Sequence, residues 1–204
     1  MRPALSLVRV RCGHSPRPEV PVVRFTGSLA SLLLGAVMAC RADTPVARST
    51  IADDFGDTIA VGPAPARIVS LNPTTTELLY AIGAGSRVVG RTTWDIWPAE
   101  VRAVPDLGPG LRPNVEAVIA ARPDLVLLYA SQDNRDAARR LRAAGIATAS
   151  YRVDRIKDFH RVLAALGRLT GDTAAARTVS DTVQATLDRV RAATAALAAE
   201  GHAT

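Results

Sequence analysis

With 204 residues, 48% of them apolar, the chain is long enough for one packed domain with appendages. Its formal charge of +6 is carried almost wholly by arginine, Lys157 being the only lysine. The two cysteines, Cys12 and Cys40, both fall near the N-terminus, which excludes a disulfide framework or a cysteine-based metal site in the body of the chain.

Residues 1–39 read as a targeting segment. Arg2, Arg9, Arg11, Arg17 and Arg24 precede an apolar stretch from Phe25 to Ala39, followed by Cys40. A positive start, a short apolar run and a small residue at the cut define a secretory signal. The run is shorter than the roughly 20 residues that span a bilayer. Val37-Met38-Ala39-Cys40 resembles the lipobox of bacterial lipoproteins, in which the cysteine is lipidated and becomes the first residue. The alternatives are an ordinary secretory peptide or an uncleaved anchor, with Cys40 incidental. Removal of the segment leaves the rest near +2, which withdraws the support for nucleic-acid binding. Residues 40–52 are polar and featureless, a tether to a domain expected from residue 53.

Thr58 to Val61 is a short strand candidate, and Ile68-Val69-Ser70-Leu71 is a second, too short for a helix. Asn72-Pro73 interrupts it. Thr74 with Glu77 three residues on predicts a capping box at a helix start, with Leu78, Leu79 and Ile82 on one face and Gly83 and Gly85 as the stop. Arg87 to Gly90 is the next strand. Residues 91–113 form a long irregular stretch holding both tryptophans, and a loop of that length in a compact domain is usually functional or disordered.

Asn114 is placed to cap a short helix with Val115, Val118 and Ile119 inward. Leu125 to Tyr129 is a continuous apolar run suited to a strand covered on both faces. A helix over 133–144, with Ala137, Leu141 and Ala144 inward, leads to a strand over 146–151. Asp154 is the expected cap of a helix with Phe159, Val162, Leu163 and Leu166 inward, ended by Gly167. From Asp172 to Glu200 there is neither proline nor glycine, which predicts a 29-residue helix with a narrow seam of Ala176, Val179, Val183, Leu187, Val190 and Leu197. So narrow a seam suits a helix that bridges domains, or else a coiled coil.

Alternating strands and helices predict an α/β domain with a mostly parallel, Rossmann-like sheet and helices on both faces. Ligands of such sheets bind outside the carboxyl ends of the strands, here next to residues 70–76, 90–97, 129–132 and 151–153.

RIVSLNPTTTELLYAIGAGSRVVGRT, WDIWP, NVEAVIAARPDLVLL, LRAAGI and LGRLTGD, in that order and followed by a long helix, resemble the class III substrate-binding proteins. These are the receptors of bacterial ABC importers for cobalamin, ferric siderophores and haem. The resemblance runs from about Asp53 to the end, and implies the N-terminal lobe over 53–171 and the interlobe helix over 172–200. By that comparison the C-terminal lobe is absent and 201–204 is a truncated end. It implies ligand contact by Trp94, with Asp95 and Trp97 beside it, and by Pro73 and Thr74. A second contacting loop, Gly108 to Arg112, includes Gly110 and Arg112 but no aromatic. Glu116 matches a glutamate that docks on the membrane permease. The implied partners are that permease, a chelated-metal ligand with cobalamin slightly favoured over ferric siderophore or haem, and the membrane through a lipid on Cys40. The implied location is outside the cytoplasm.

Nothing in the residues suggests catalysis: there is no nucleophile elbow, no Walker lysine, no G-x-G-x-x-G and no His/Asp/Glu set with metal-ligand spacing. No enzyme, resident cofactor or bound metal is expected, and His160 reads as structural or exposed. The competing readings are a lipoprotein interaction module whose long helix self-associates and, behind it, an exported hydrolase with a degenerate site.

Overall fold

The computed structural model of the chain describes residues 49–201. The expected signal segment, Cys40 and most of the expected tether lie outside them. Within them, β1 (Thr50–Ala52) and β2 (Thr58–Ala60) pair as an antiparallel hairpin. Thr50 to Ala52 is therefore strand, where the sequence suggested tether. Ile51 and Ile59 face the core, and that burial selects extended backbone for a run too short to show a period.

The main sheet has four parallel strands, β3 (Ile68–Leu71), β4 (Val88–Gly90), β5 (Leu125–Tyr129) and β6 (Ala147–Tyr151), in the order β4-β3-β5-β6. Residues alternate between two cores, as a period of two requires. Ile68, Leu125, Leu127, Ala149 and Tyr151 face α1 (Pro73–Ala81), α4 (Ile156–Thr170) and α5 (Thr173–Gly201). Val69, Leu71, Val126 and Leu128 face α2 (Val115–Ala120) and α3 (Arg135–Ala143). From β3 the chain moves out to β4 and then returns past β3 to β5. The carboxyl ends of β3 and β5 thus flank a topological switch point, the usual ligand crevice of an open sheet.

Several helix ends differ from those read in the sequence. Asn72, not Thr74, caps α1: its carboxamide oxygen accepts from the Thr74 amide at 3.2 Å, and Pro73 fills the first turn, where no N–H is needed. Glu77 is thereby free of any capping duty and lies exposed on α1. Asp158 reaches back to the Arg155 amide at 3.1 Å, while Asp154 accepts from the Tyr129 hydroxyl instead. Helix α4 passes through Gly167 and stops at Gly171, whose φ of 82° is the left-handed conformation of a helix terminus. A Cβ on Gly167 would lie 2.6 Å from that of Ala176, so the glycine is there to let α4 and α5 approach. Ile119 and Ala144 are exposed, and Ala138 takes the inward place beside Ala137 and Leu141.

Asp53 ties the hairpin to the sheet. One carboxylate oxygen accepts the amides of Phe55 (2.9 Å) and Asp57 (3.0 Å), which closes the β1–β2 turn. The other accepts from the Ser150 amide (3.0 Å) in β6 and the Arg142 guanidinium (2.6 Å) on α3.

Helix α5 spans about 43 Å at 1.5 Å per residue. Its first half packs on α4 and α1, with Ala176 buried and Val179, Val183 and Leu187 half-buried. From Asp188 to Ala198 every side chain is exposed, Val190 and Leu197 included.

Candidate functional site

Two loops are stitched together above the carboxyl ends of β3 and β4. Arg91 pairs with Asp106 as a parallel bridge, the Thr93 amide donates to Gly108 O at 2.9 Å, and the Thr93 hydroxyl donates to Asp106 at 3.0 Å. Gly110 brings the second loop down on the first. Its φ is 81°, and a Cβ there would meet Leu71 O and Thr92 Cγ2, both at 2.8 Å, so only glycine fits. Asn134 completes the fastening: its amide nitrogen donates to Gly110 O and Tyr129 O, both at 3.0 Å, and its oxygen accepts from the Arg112 amide at 3.0 Å. In the sequence Asn134 was legible only as part of the helix over 133–144.

Asp95 is 2% exposed and points into the protein. One oxygen accepts from the Thr92 amide at 2.7 Å and the Thr76 hydroxyl at 3.2 Å; the other is buried with no partner. It therefore holds the loop rather than facing solvent beside its two tryptophans. Burial pushes its carboxyl up from the ordinary 3.8, opposed by the Thr92 and Thr76 hydrogen bonds and by Arg91. Folding thus favours the protonated form, and this contribution, full below pH 3.8, is lost as pH rises through the raised value. Asp95→Asn should flatten that limb of a urea stability–pH profile, whereas Asp95→Ala should cost about 1–3 kcal/mol by orphaning the Thr92 amide. Equal pH slopes in wild type and Asp95→Asn would contradict this role.

With Asp95 turned inward, its neighbours are turned out. Trp94 is 65% exposed and Trp97 67%, with Ile96 between them and Leu111 on the second loop also exposed. Solvent-facing large apolar side chains on two pinned loops at a sheet's carboxyl edge are an unsatisfied contact surface. Ile96 and Leu111 were legible only as loop residues. Pro73 and Thr74 are half-buried in the first turn of α1. Arg112 adopts φ 52° and lays its guanidinium on Asp133 at 2.9 Å.

The two tryptophans differ in their surroundings. Trp97 joins Glu77, Tyr80, Glu100, Phe159 and Val183 in lining a groove of about 530 Å³ over α1, α4 and α5; Trp94 is not part of that lining. Glu116 is exposed in the first turn of α2, paired with Arg140 at 2.5 Å. Its own backbone amide and Arg140 hold its carboxyl below the usual range. Among the described residues no group of three or more His, Cys, Asp or Glu is placed to hold a metal ion.

A family model described as periplasmic binding protein matches residues 68–202. The chain is 38% identical over 135 residues to YvrC of Bacillus subtilis, named an uncharacterized ABC transporter substrate-binding lipoprotein, a match covering 59% of this chain and 43% of that one. It is 35% identical over 127 residues to a cobalamin-binding protein of Halobacterium salinarum, covering 61% of this chain and 34% of that one. Among solved structures, a possible iron-binding periplasmic solute-binding protein of Staphylococcus epidermidis superposes with a TM-score of 0.58 at 28% identity, covering 62% of this chain and 50% of that one. The periplasmic vitamin B12-binding protein BtuF of Vibrio cholerae superposes with a TM-score of 0.60 at 19% identity, covering 66% and 52%, a likeness of fold. The chain thus matches about half the length, or less, of each of these relatives.

Proposed function

The chain belongs to the periplasmic binding protein family, and from that membership we propose that it serves as the ligand-capturing component of an ABC importer. The ligand is a chelated metal, with cobalamin favoured over haem or a ferric siderophore. The preference for cobalamin is supported by the relative named as a cobalamin-binding protein, and the alternatives by the iron-binding title of a structural neighbour. The protein works outside the cytoplasm, held at the membrane through Cys40, and delivers its cargo to a permease that Glu116 helps to dock. It captures and releases, and makes or breaks no bond in the ligand.

The observation that carries this reading is Trp94, held out at the sheet's carboxyl edge by the inward turn of Asp95. A flat aromatic face on a rigid loop suits a large planar ligand, because little side-chain freedom is lost on contact. Pro73 and Thr74 form the floor, Leu111 and Arg112 the opposite rim, and Gly110 and Asp95 hold these in place.

Titration of the full-length chain with cyanocobalamin, haem and a ferric catecholate siderophore, followed by tryptophan fluorescence, tests the proposal. Saturable quenching by one of the three is expected. Trp94→Ala should weaken it about fivefold, the worth of one aromatic contact. Glu116→Ala should leave binding intact and lower uptake in cells. No saturable quenching by any of the three would refute the receptor reading, and loss of binding in Glu116→Ala would refute the docking role.

A further inference from the structure

The groove beside Trp97 has a character of its own. Three aromatic residues, Trp97, Tyr80 and Phe159, line it together with Val183, and its volume of about 530 Å³ lies within the usual range for small-molecule sites. Two carboxylates, Glu77 and Glu100, stand on the same lining. Arginine is abundant in this chain, and most described carboxylates sit on one: Asp53 and Asp57 on Arg142, Asp54 on Arg161, Asp106 on Arg91, Asp133 on Arg112, Asp172 on Arg87. Among the described residues, Glu77 and Glu100 have no such partner, and neither is needed for a helix cap. Two carboxylates without an arginine partner thus stand on one aromatic lining.

The surrounding potential agrees. Burial foremost, then the charge of Asp95, raises the Glu77 carboxyl. Burial, then Glu100 and Asp95, raises the Tyr80 phenol. Aromatic faces attract cations through their quadrupoles, and most strongly for a weakly hydrated organic cation.

We propose that this groove binds an organic ammonium ion with an apolar body, its charge answered by Glu77 and Glu100 and its body lying against Trp97, Tyr80 and Phe159. The site is independent of the ligand surface at Trp94, and neither stands or falls with the other.

The chain has two tryptophans, so Trp94→Phe in the full-length protein leaves Trp97 as the sole indole reporter. Titrating that variant with benzyltrimethylammonium should give saturable quenching with a dissociation constant in about the millimolar range, as befits so small a ligand. Benzyl alcohol, with the same ring and no charge, should bind at least fivefold more weakly. Glu77→Gln with Glu100→Gln should weaken the ammonium about tenfold. Asp181→Asn, which removes a carboxylate elsewhere on α5, should leave it unchanged. Equal affinity for benzyl alcohol, an unchanged constant in the double glutamine variant, or quenching that never saturates would each overturn the proposal. All four substituted positions are exposed, where a substitution usually changes stability by no more than about 0.5 kcal/mol.

Discussion

Asp53→Ala is expected to destabilise the domain by about 3–5 kcal/mol, measured as a shift of the urea unfolding midpoint. The size follows from what one carboxylate does. It receives two amides of its own turn, one amide of β6 and a guanidinium of α3. Its side chain has no solvent exposure and that of Arg142 has 24%, so truncation leaves a largely buried cation and three amides short of an acceptor. Asp57 and the Thr148 carbonyl give Arg142 further partners, but Asp57 is half-exposed, and Asp57→Ala should cost less than about 1 kcal/mol. Asp53→Asn separates the two duties, since its oxygen can still close the turn while its amino group meets both Arg142 and the Ser150 amide donor to donor. It should fall between the other two. A loss below about 1 kcal/mol for Asp53→Ala would mean that the hairpin is dispensable to the sheet.

Leu127→Ala is expected to cost about 2–5 kcal/mol by the same measurement. Leu127 is fully buried in the central strand β5, on the face shared with α1, α4 and α5. Backbone pairing fixes it on both sides, to Ser70 of β3 and Ala149 of β6, so the strand cannot shift to fill the space. The cost combines lost transfer energy with the cavity, and domains with total stabilities of about 5–15 kcal/mol feel it strongly. Substitution of Leu197, 68% exposed, should change the midpoint by no more than about 0.5 kcal/mol. Similar effects at the two positions would contradict the packing described.

The parallel sheet was legible in the sequence because burial on both faces leaves continuous apolar runs, as in Leu125 to Tyr129, and because α4 and the start of α5 keep a helical period. The long helix was legible by its lack of breakers. The second strand of the hairpin was read over Thr58 to Val61, but the first and its pairing were not, since three residues with one buried isoleucine carry no pattern and Asp53 acts through Arg142 and Ser150, distant in the chain. The cap of α1 went to Thr74 because Asn72 precedes a proline and reads as a simple break, although proline suits the first helical position. At the candidate site, WDIW reads as one aromatic unit. What divides it is Thr76, nineteen residues before Asp95, which together with the Thr92 amide draws the carboxylate inward. Membership of the family was readable from motifs in order; which side chains face outward was not.

The contact of Gly167 with Ala176 has a mechanical consequence. It lies near one end of a rod whose far end is about 37 Å away at 1.5 Å per residue, and from Asp188 to Ala198 every side chain of that rod is exposed. A tilt of about 5° there would carry the far end sideways by about 3 Å on the same geometry. Adding even a methyl group at Gly167 would act as a wedge at the pivot of a lever. The missing side chain at one position in α4 thereby sets where the distal half of α5 points.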